Sequence, residues 1–133
     1  MEYELRFHPE KHLAVVITHG LATLEGFKAY TLEIARHPLW SSGLSILSDH
    51  RDLNFISFAT GDVENYRQFC RKLFSEYPVQ SGKIKIATVV STPFNYGIVR
   101  QWEIPLTDIV SAVHRVFMNY EDATAWLAVD KNC

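Results

Sequence analysis

The sequence has few of the features that mark specialised protein classes. Its 133 residues include two cysteines, Cys70 and Cys133, without metal-ligand or Cys-x-x-Cys spacing, so we expect reduced thiols and no disulfide framework. Thirteen Lys and Arg against fifteen Asp and Glu give a formal charge of −2, and no basic run is longer than Arg71–Lys72. The charge pattern therefore argues against a nucleic-acid partner and against binding to a membrane surface.

Long apolar segments are also missing. The longest uninterrupted apolar run is Leu13 to Ile17, far short of the roughly 20 residues that a membrane span needs. The first four residues, Met-Glu-Tyr-Glu, lack the basic-then-apolar order of a signal peptide. We therefore expect a cytoplasmic protein with no membrane span.

What is present suffices for one hydrophobic core. Hydrophobic residues make up 47% of the chain and charged residues 21%. A chain of this length buries roughly two-thirds of the surface that its unfolded form exposes, so neither disulfides nor metal are needed for stability. The composition predicts a single domain over residues 1–133.

Hydrophobic periodicity predicts strands that alternate with helices. Residues 2–8 alternate in polarity like a half-buried outer strand, whereas Leu13 to Ile17 is apolar throughout, like a strand covered on both faces. Strands are predicted at residues 2–8, 12–18, 44–47, 83–90 and 113–118, with Thr23, Thr60, Thr92 and Asn119 as helix caps. We interpret residues 39–43 as a surface connection.

This order of elements predicts an α/β fold with a mostly parallel five-stranded sheet and about four helices. The short Pro9–Lys11 turn makes the first strand antiparallel to the second. If most helices cover one face, apolar side chains remain on the other face and need a cover. A second subunit or an apolar ligand would provide it.

Ligands of such sheets usually sit beyond the carboxyl ends of the parallel strands. A hydrolase is one hypothesis for this edge, although no Gly-x-Ser-x-Gly elbow is present. The residues available to it are Ser91 or Ser48 as nucleophile, His50 or His19 as base, and Asp49 or Asp52 to orient the imidazole. Ordinary loop composition also places such residues at the edges of inert domains, and we predict no catalytic residues.

Metal and cofactor sites have equally little support. His8 and His12 are four residues apart, but Pro9 between them prevents the helix that would put both on one face. Asp49 and Asp52 would suit Mg²⁺, yet no phosphate loop or third carboxylate accompanies them. We predict no metal and no cofactor.

The amino end of the third helix is the better candidate for a ligand site. Free backbone N–H groups and the helix dipole favour an anion there, although plain capping by Thr92 explains the same residues. Aromatic residues nearby would line an apolar pocket or simply form core. The candidate ligand-binding residues are Asp49, His50, Arg51, Phe58, Ser91, Thr92, Phe94, Asn95, Tyr96, Arg100 and Trp102.

Several short motifs resemble those of the SpoIIAA-like family of small bacterial proteins. They are the segments 49–53 (Asp-His-Arg-Asp-Leu), 96–100 (Tyr-Gly-Ile-Val-Arg), 116–117 (Val-Phe) and 122–127 (Asp-Ala-Thr-Ala-Trp-Leu). This family is related in fold to STAS domains, the anti-sigma-factor antagonists, and is often compared with CRAL-TRIO lipid-binding domains. The resemblance spans nearly the whole chain and implies a β-α superhelix.

STAS antagonists are switched by phosphorylation in an Asp-Ser-Ser-Gly-like segment. The corresponding residues here are Ser57, Phe58, Ala59 and Thr60, which break that pattern and leave Ser57 and Thr60 as the nearest hydroxyls. The resemblance implies a non-enzymatic regulatory or protein-interaction module. We expect it to form a homodimer that covers the sheet face left open by most of the helices. The alternative hypothesis is a carrier or sensor of a small apolar or lipid-like anionic ligand.

Overall fold

The computed structural model describes residues 1–58, 60–79, 84–101 and 112–128. In these parts of the chain, five strands and four α-helices follow one another. The strands are β1 (Glu2–His8), β2 (Leu13–Leu21), β3 (Ser45–Asn54), β4 (Ile84–Val89) and β5 (Ala112–Phe117). The helices are α1 (Leu24–Ala35), α2 (Thr60–Glu76), α3 (Pro93–Arg100) and α4 (Tyr120–Ala128).

The strands form one sheet in the order β1-β2-β3-β4-β5. β1 is antiparallel to β2, and the other neighbours are parallel. A single 3-10 turn at Pro9–Lys11, followed by His12 at a φ of 50°, reverses the chain between β1 and β2. The predicted mixed sheet is therefore confirmed.

The predicted helix starts agree with the structure because their capping side chains hold the first free N–H groups. The hydroxyls of Thr23 and Thr92 accept hydrogen bonds from the backbone N–H groups of Gly26 and Asn95, at 3.0 Å and 3.1 Å. Asn119 accepts one from the N–H of Asp122 at 3.0 Å. α2 begins one residue earlier than predicted, because Thr60, predicted as its cap, is its first residue.

Helices lie on both faces of the sheet. On the face that we call the first face, α1, α2 and α3 pack over the main core, which includes Phe27, Tyr66 and Val99. On the opposite, second face, α4 packs Ala123 against a smaller cluster that includes Val15. The expectation that the second face lacks an internal cover is thus wrong where α4 lies.

Two local predictions need correction. The segment at residues 39–43 is not a surface connection, since Trp40 is buried, stacks on Phe74 at 5.1 Å and donates a hydrogen bond to the Tyr77 carbonyl at 2.6 Å. The third strand does not end at Leu47 but continues to Asn54. Its polar residues extend the strand because their backbone groups still pair with β2.

Candidate functional site

The length of β3 separates the polar residues that the sequence presents as one cluster. Successive side chains of a strand point to opposite faces, so Asp49 and Arg51 lie on the second face and His50 on the first. His50 is fully buried and its ring lies 5.5 Å from that of Phe27. It therefore belongs to the core and not to the carboxyl edge of the sheet.

Asp49 and Arg51 neutralise each other on the second face. The Arg51 Nε and Nη2 atoms donate to the two Asp49 carboxylate oxygens at 2.9 Å and 2.8 Å, and the guanidinium lies 4.5 Å from the Tyr120 ring. Burial raises the pKa of Asp49, but the hydrogen bonds and charge of Arg51 outweigh burial and hold that pKa below its ordinary value. Asp49 is therefore a carboxylate at neutral pH.

A register shift in β3 shapes the carboxyl edge. Ile17 pairs with Asp49, whereas His19 pairs with Asp52, so β3 holds one extra residue over this interval. Such a bulge reverses the direction of the side chains that follow. Leu53 accordingly turns into the main core, and Asn54 turns outward.

A cleft of about 410 Å³ lies between the end of β3 and the start of α3. Five of the eleven predicted ligand-binding residues line it: Arg51, Ser91, Thr92, Phe94 and Asn95. Its other walls are Asp52, Leu53, Asn54 and Ile56. The structure thus brings these five predicted residues together at the predicted edge.

The remaining predicted residues do not line this cleft. Phe58 is buried in the core, like His50, and Asp49 is held by Arg51. Tyr96 is half-buried on α3, where the Arg100 guanidinium lies 5.7 Å from its ring. Trp102 lies outside the described residues, as do Cys133, Lys83 and Ala59.

The polar groups of the cleft are engaged within the protein. The Ser91 hydroxyl donates to the Arg51 carbonyl at 2.7 Å, and the Asn95 amide donates to the Leu53 carbonyl at 3.1 Å. Asn54 accepts a hydrogen bond from the N–H of Ile56 at 2.9 Å. These hydrogen bonds connect the walls of the cleft. Its apolar side chains Ile56 and Phe94 are exposed to solvent.

A large apolar side chain is exposed near the carboxyl end of every parallel strand. We call this set the apolar edge: Leu21 ends β2 (50% exposed), Ile56 follows β3 (71%), Phe94 follows β4 (56%), and Met118 follows β5 (48%). Because these strands are neighbours, their carboxyl ends span roughly three strand spacings, about 14 Å. Sequence reasoning missed Leu21, Ile56 and Met118, whose shared signal is their position at or just after the end of a strand.

The combination of Ser91 and His50 proposed for hydrolysis is not assembled. Ser91 is exposed at the edge and bonded to backbone, whereas His50 is enclosed on the first face and bonded to Thr18 at 2.7 Å. Cys70 offers no thiolate either, because burial raises its pKa to about 12.

Metal and membrane features are likewise missing from the described residues. No group of three or more His, Cys, Asp or Glu side chains in this part of the chain is arranged to hold a metal ion. No helix described here is both long and apolar enough to cross a membrane.

The candidate phosphorylation residues lie in the turn after β3 and at the start of α2. Ser57 is exposed in the turn after β3, and Thr60 is the first residue of α2. Ser57 is thus accessible to a modifying enzyme. Phosphorylation of either hydroxyl stays a prediction.

A second concavity, the second-face groove, lies beside α4. It has a volume of about 520 Å³ and begins at the amino ends of β2 and β3, opposite the apolar edge. It is lined by His8, Lys11, Leu13, Val15, Ser45, Leu47, Tyr120, Thr124, Leu127 and Ala128. Within the described residues, α4 forms one wall of this groove and β2 and β3 contribute the apolar residues Leu13, Val15 and Leu47.

The comparison with known proteins identifies a similar fold. Neither a protein-family model nor a curated protein matches the chain. Among solved structures, the chain is similar to an uncharacterised DUF3478-family protein with a SpoIIAA-like fold from Shewanella loihica PV-4. The TM-score is 0.56 at 16% identity, over 96% of this chain and 93% of that chain. The SpoIIAA-like fold that the motifs implied is thus confirmed.

Proposed function

We propose that this chain is a non-enzymatic SpoIIAA-like interaction module that binds a protein partner through the apolar edge. One observation carries the proposal: Leu21, Ile56, Phe94 and Met118 are all exposed, and each lies at or after the carboxyl end of a parallel strand. Cores of protein interfaces are enriched in aromatic residues and Met and depleted of charge. Phe94 and Met118 match this enrichment, and the nearby cation Arg51 is paired with Asp49.

The contacts of the cleft favour a protein partner over an anion at this edge. Arg51 is the cation of the cleft, and Asp49 already neutralises it through two hydrogen bonds. The hydroxyl of Ser91 and the amide of Asn95 donate to backbone carbonyls. An anionic head group would have to compete with the charge of Asp49 for Arg51, whereas an apolar protein surface would leave this ion pair in place.

A second copy of the chain is the partner to test first. A row of apolar side chains can pair with the same row of another copy through a two-fold axis. The experiment is sedimentation velocity over a wide range of concentrations on the wild type, on Phe94→Ser and on Val113→Ser. Val113, 41% exposed on β5 and away from the apolar edge, provides a matched control.

We expect a wild-type dimer whose Kd rises at least about tenfold in Phe94→Ser and stays unchanged in Val113→Ser. Equal effects of both substitutions would contradict the assignment of the edge. If the wild type is a monomer throughout, a photo-crosslinker at position 56 then tests other proteins in cells. The absence of any adduct that depends on Phe94 would refute a protein partner.

The second-face groove favours the carrier hypothesis as a second candidate. The groove is concave and its floor of Leu13, Val15 and Leu47 is apolar, while Lys11 offers a cation on its wall. A chain-like apolar anion matches these features better than a flat subunit interface does. This location differs from the edge at which the sequence placed the ligand.

Dodecanoate serves as the probe for this candidate. We expect saturable shifts of amide NMR signals around the groove, lost in Leu47→Trp and retained in Phe94→Ser. Native mass spectrometry of the purified wild type would support this candidate independently if it detected a co-purified organic molecule. Shifts that persist in Leu47→Trp, or no shifts in the wild type, would exclude the groove as a carrier site.

A further inference from the structure

A layer of polar side chains interrupts the apolar core on the first face. Four neighbouring strands supply it with Thr18, Ser48, His50, Thr88 and His114, each at most 5% exposed. Tyr30, Thr31, Tyr66 and Cys70 of α1 and α2 face it from above. Between these two sets lies a cavity of about 40 Å³.

Many side chains of this layer form hydrogen bonds with other groups of the protein. Tyr66 and Thr31 share one at 2.8 Å, His114 Nε2 and Thr88 share another at 2.8 Å, and His50 Nδ1 lies 2.7 Å from the Thr18 hydroxyl. The Nε2 atom of His50 has no partner among the described residues, although it is fully buried and its ring lines the cavity. Native proteins rarely leave such an atom unsatisfied.

Either tautomer of His50 requires a partner at Nε2. Burial lowers the pKa of His50 to about 3, so the ring is neutral and carries one proton. If Nδ1–H donates to Thr18, Nε2 is a bare acceptor; if Thr18 donates to Nδ1, Nε2–H is an unpaired donor. Water satisfies both cases, because it donates and accepts.

The size of the cavity also suits water. One water needs roughly 10–15 Å³ of such space, so about 40 Å³ admits one to a few waters. A buried water also needs two to four polar partners, and the hydroxyl-bearing residues Ser48, Thr31 and Thr88 line the cavity besides His50. We propose that this cavity is an internal hydration site, in which an ordered water hydrogen-bonds Nε2 of His50.

The test is NMR spectroscopy of the intact, isotope-labelled chain. We expect direct cross-peaks between a long-lived water and the ring protons of His50 that flank Nε2, namely Hδ2 and Hε1. The ¹⁵N shifts of the ring report which nitrogen carries the proton. In His50→Phe, which keeps a ring and removes the polar atom, we expect the water cross-peaks of neighbouring core protons to disappear.

Two results would overturn the proposal. One is a wild type without water cross-peaks at His50, which needs no variant and therefore stands even where His50→Phe fails to fold. The other is a folded His50→Phe variant whose core water signals are unchanged, because that water would then be held by other groups. Uptake of xenon by the wild-type cavity would independently identify it as dry.

Discussion

The apolar edge and the first-face core reverse the usual distribution of side chains. At the edge, Phe94 and Ile56 are more than half exposed, whereas in the core His50 and Thr88 are almost completely enclosed. Polar and apolar residues thus each occur where folding alone disfavours them. The difference teaches that folding alone does not account for the exposed apolar residues, for which we propose a binding role, while the polar residues of β3 contribute to the interior.

Alanine substitutions at Phe27 and at Phe94 give the strongest test of this comparison. Phe27 is fully buried, and its ring lies 5.5 Å from His50 and 5.1 Å from Phe58. We expect Phe27→Ala to lower the free energy of unfolding by about 3–5 kcal/mol through lost burial and an unfilled cavity. Phe94→Ala should change it by less than about 0.5 kcal/mol.

Urea unfolding followed by tryptophan fluorescence measures both variants, since Trp40 is buried in the folded state. A Phe27→Ala loss below about 1 kcal/mol would mean that the core tolerates truncation far better than close packing allows. A large loss in Phe94→Ala would show that the apolar edge supports the fold instead of standing free.

The dependence of stability on pH in mild acid tests the buried polar side of this comparison. Burial lowers the pKa of His50 to about 3, helped by the neighbouring His114 and opposed by the charge of Asp49. The unfolded chain binds a proton at this histidine below pH about 6.5, and the folded chain does not. Stability should therefore fall as the pH drops from about 6.5 toward about 3, by at most about 1.4 kcal/mol per pH unit for this group.

Unfolding curves of the wild type and His50→Gln at several pH values isolate this contribution. We expect the difference in slope between the two proteins to appear between pH about 6.5 and about 4.5, above the range in which Asp49 titrates. His114→Gln serves as the control for the second buried histidine. Parallel slopes of wild type and His50→Gln would contradict a neutral, buried His50.

Much of the fold follows from local sequence patterns, but the site follows from pairing between distant segments. The caps Thr23, Thr92 and Asn119 were predictable because each side chain bonds a backbone N–H only three residues away. The length of β3 was not, since Asp49 and Asp52 remain in the strand through partners on β2, thirty or more residues earlier.

Local sequence patterns also could not predict which apolar side chains are exposed. Ile56 and Trp40 are both apolar residues in connections, yet Ile56 is 71% exposed and Trp40 is 2% exposed. Trp40 is enclosed because its indole meets Phe74 and the Tyr77 carbonyl of α2 and the residues that follow it. No window of the sequence around residue 40 contains those partners.

A cap at the apolar edge gives the next smaller effect. The Thr92 hydroxyl accepts the N–H of Asn95 at 3.1 Å, so Thr92→Ala should cost about 1 kcal/mol, and Thr92→Ser should restore most of it. The self-association of Thr92→Ala should match that of the wild type once both are folded. Weaker association at unchanged stability would instead place Thr92 in the binding surface, and urea unfolding with sedimentation velocity separates the two.

Two ion pairs of the same spacing give the smallest and most closely matched test. Glu4 and Arg6 are two residues apart on β1 with both side chains 58% exposed, whereas Asp49 and Arg51 are two apart on β3 with side chains 11% and 45% exposed. Double-mutant cycles with Gln, Asn and Met substitutions should give a coupling of about 0.2 kcal/mol for the β1 pair and about 1 kcal/mol for the β3 pair. The half-exposed guanidinium keeps the larger value modest.

The pH dependence of the second cycle decides its origin. The folded pKa of Asp49 is lowered, so its ion pair stabilises the fold above the unfolded pKa of about 3.9, and this contribution is lost as the pH falls through the folded value. The coupling should thus persist at pH 5 and shrink only in stronger acid. A coupling that is equal in both pairs and independent of pH would mean that Arg51 is free of Asp49 in solution, and the cleft would then offer the cation that an anionic ligand requires.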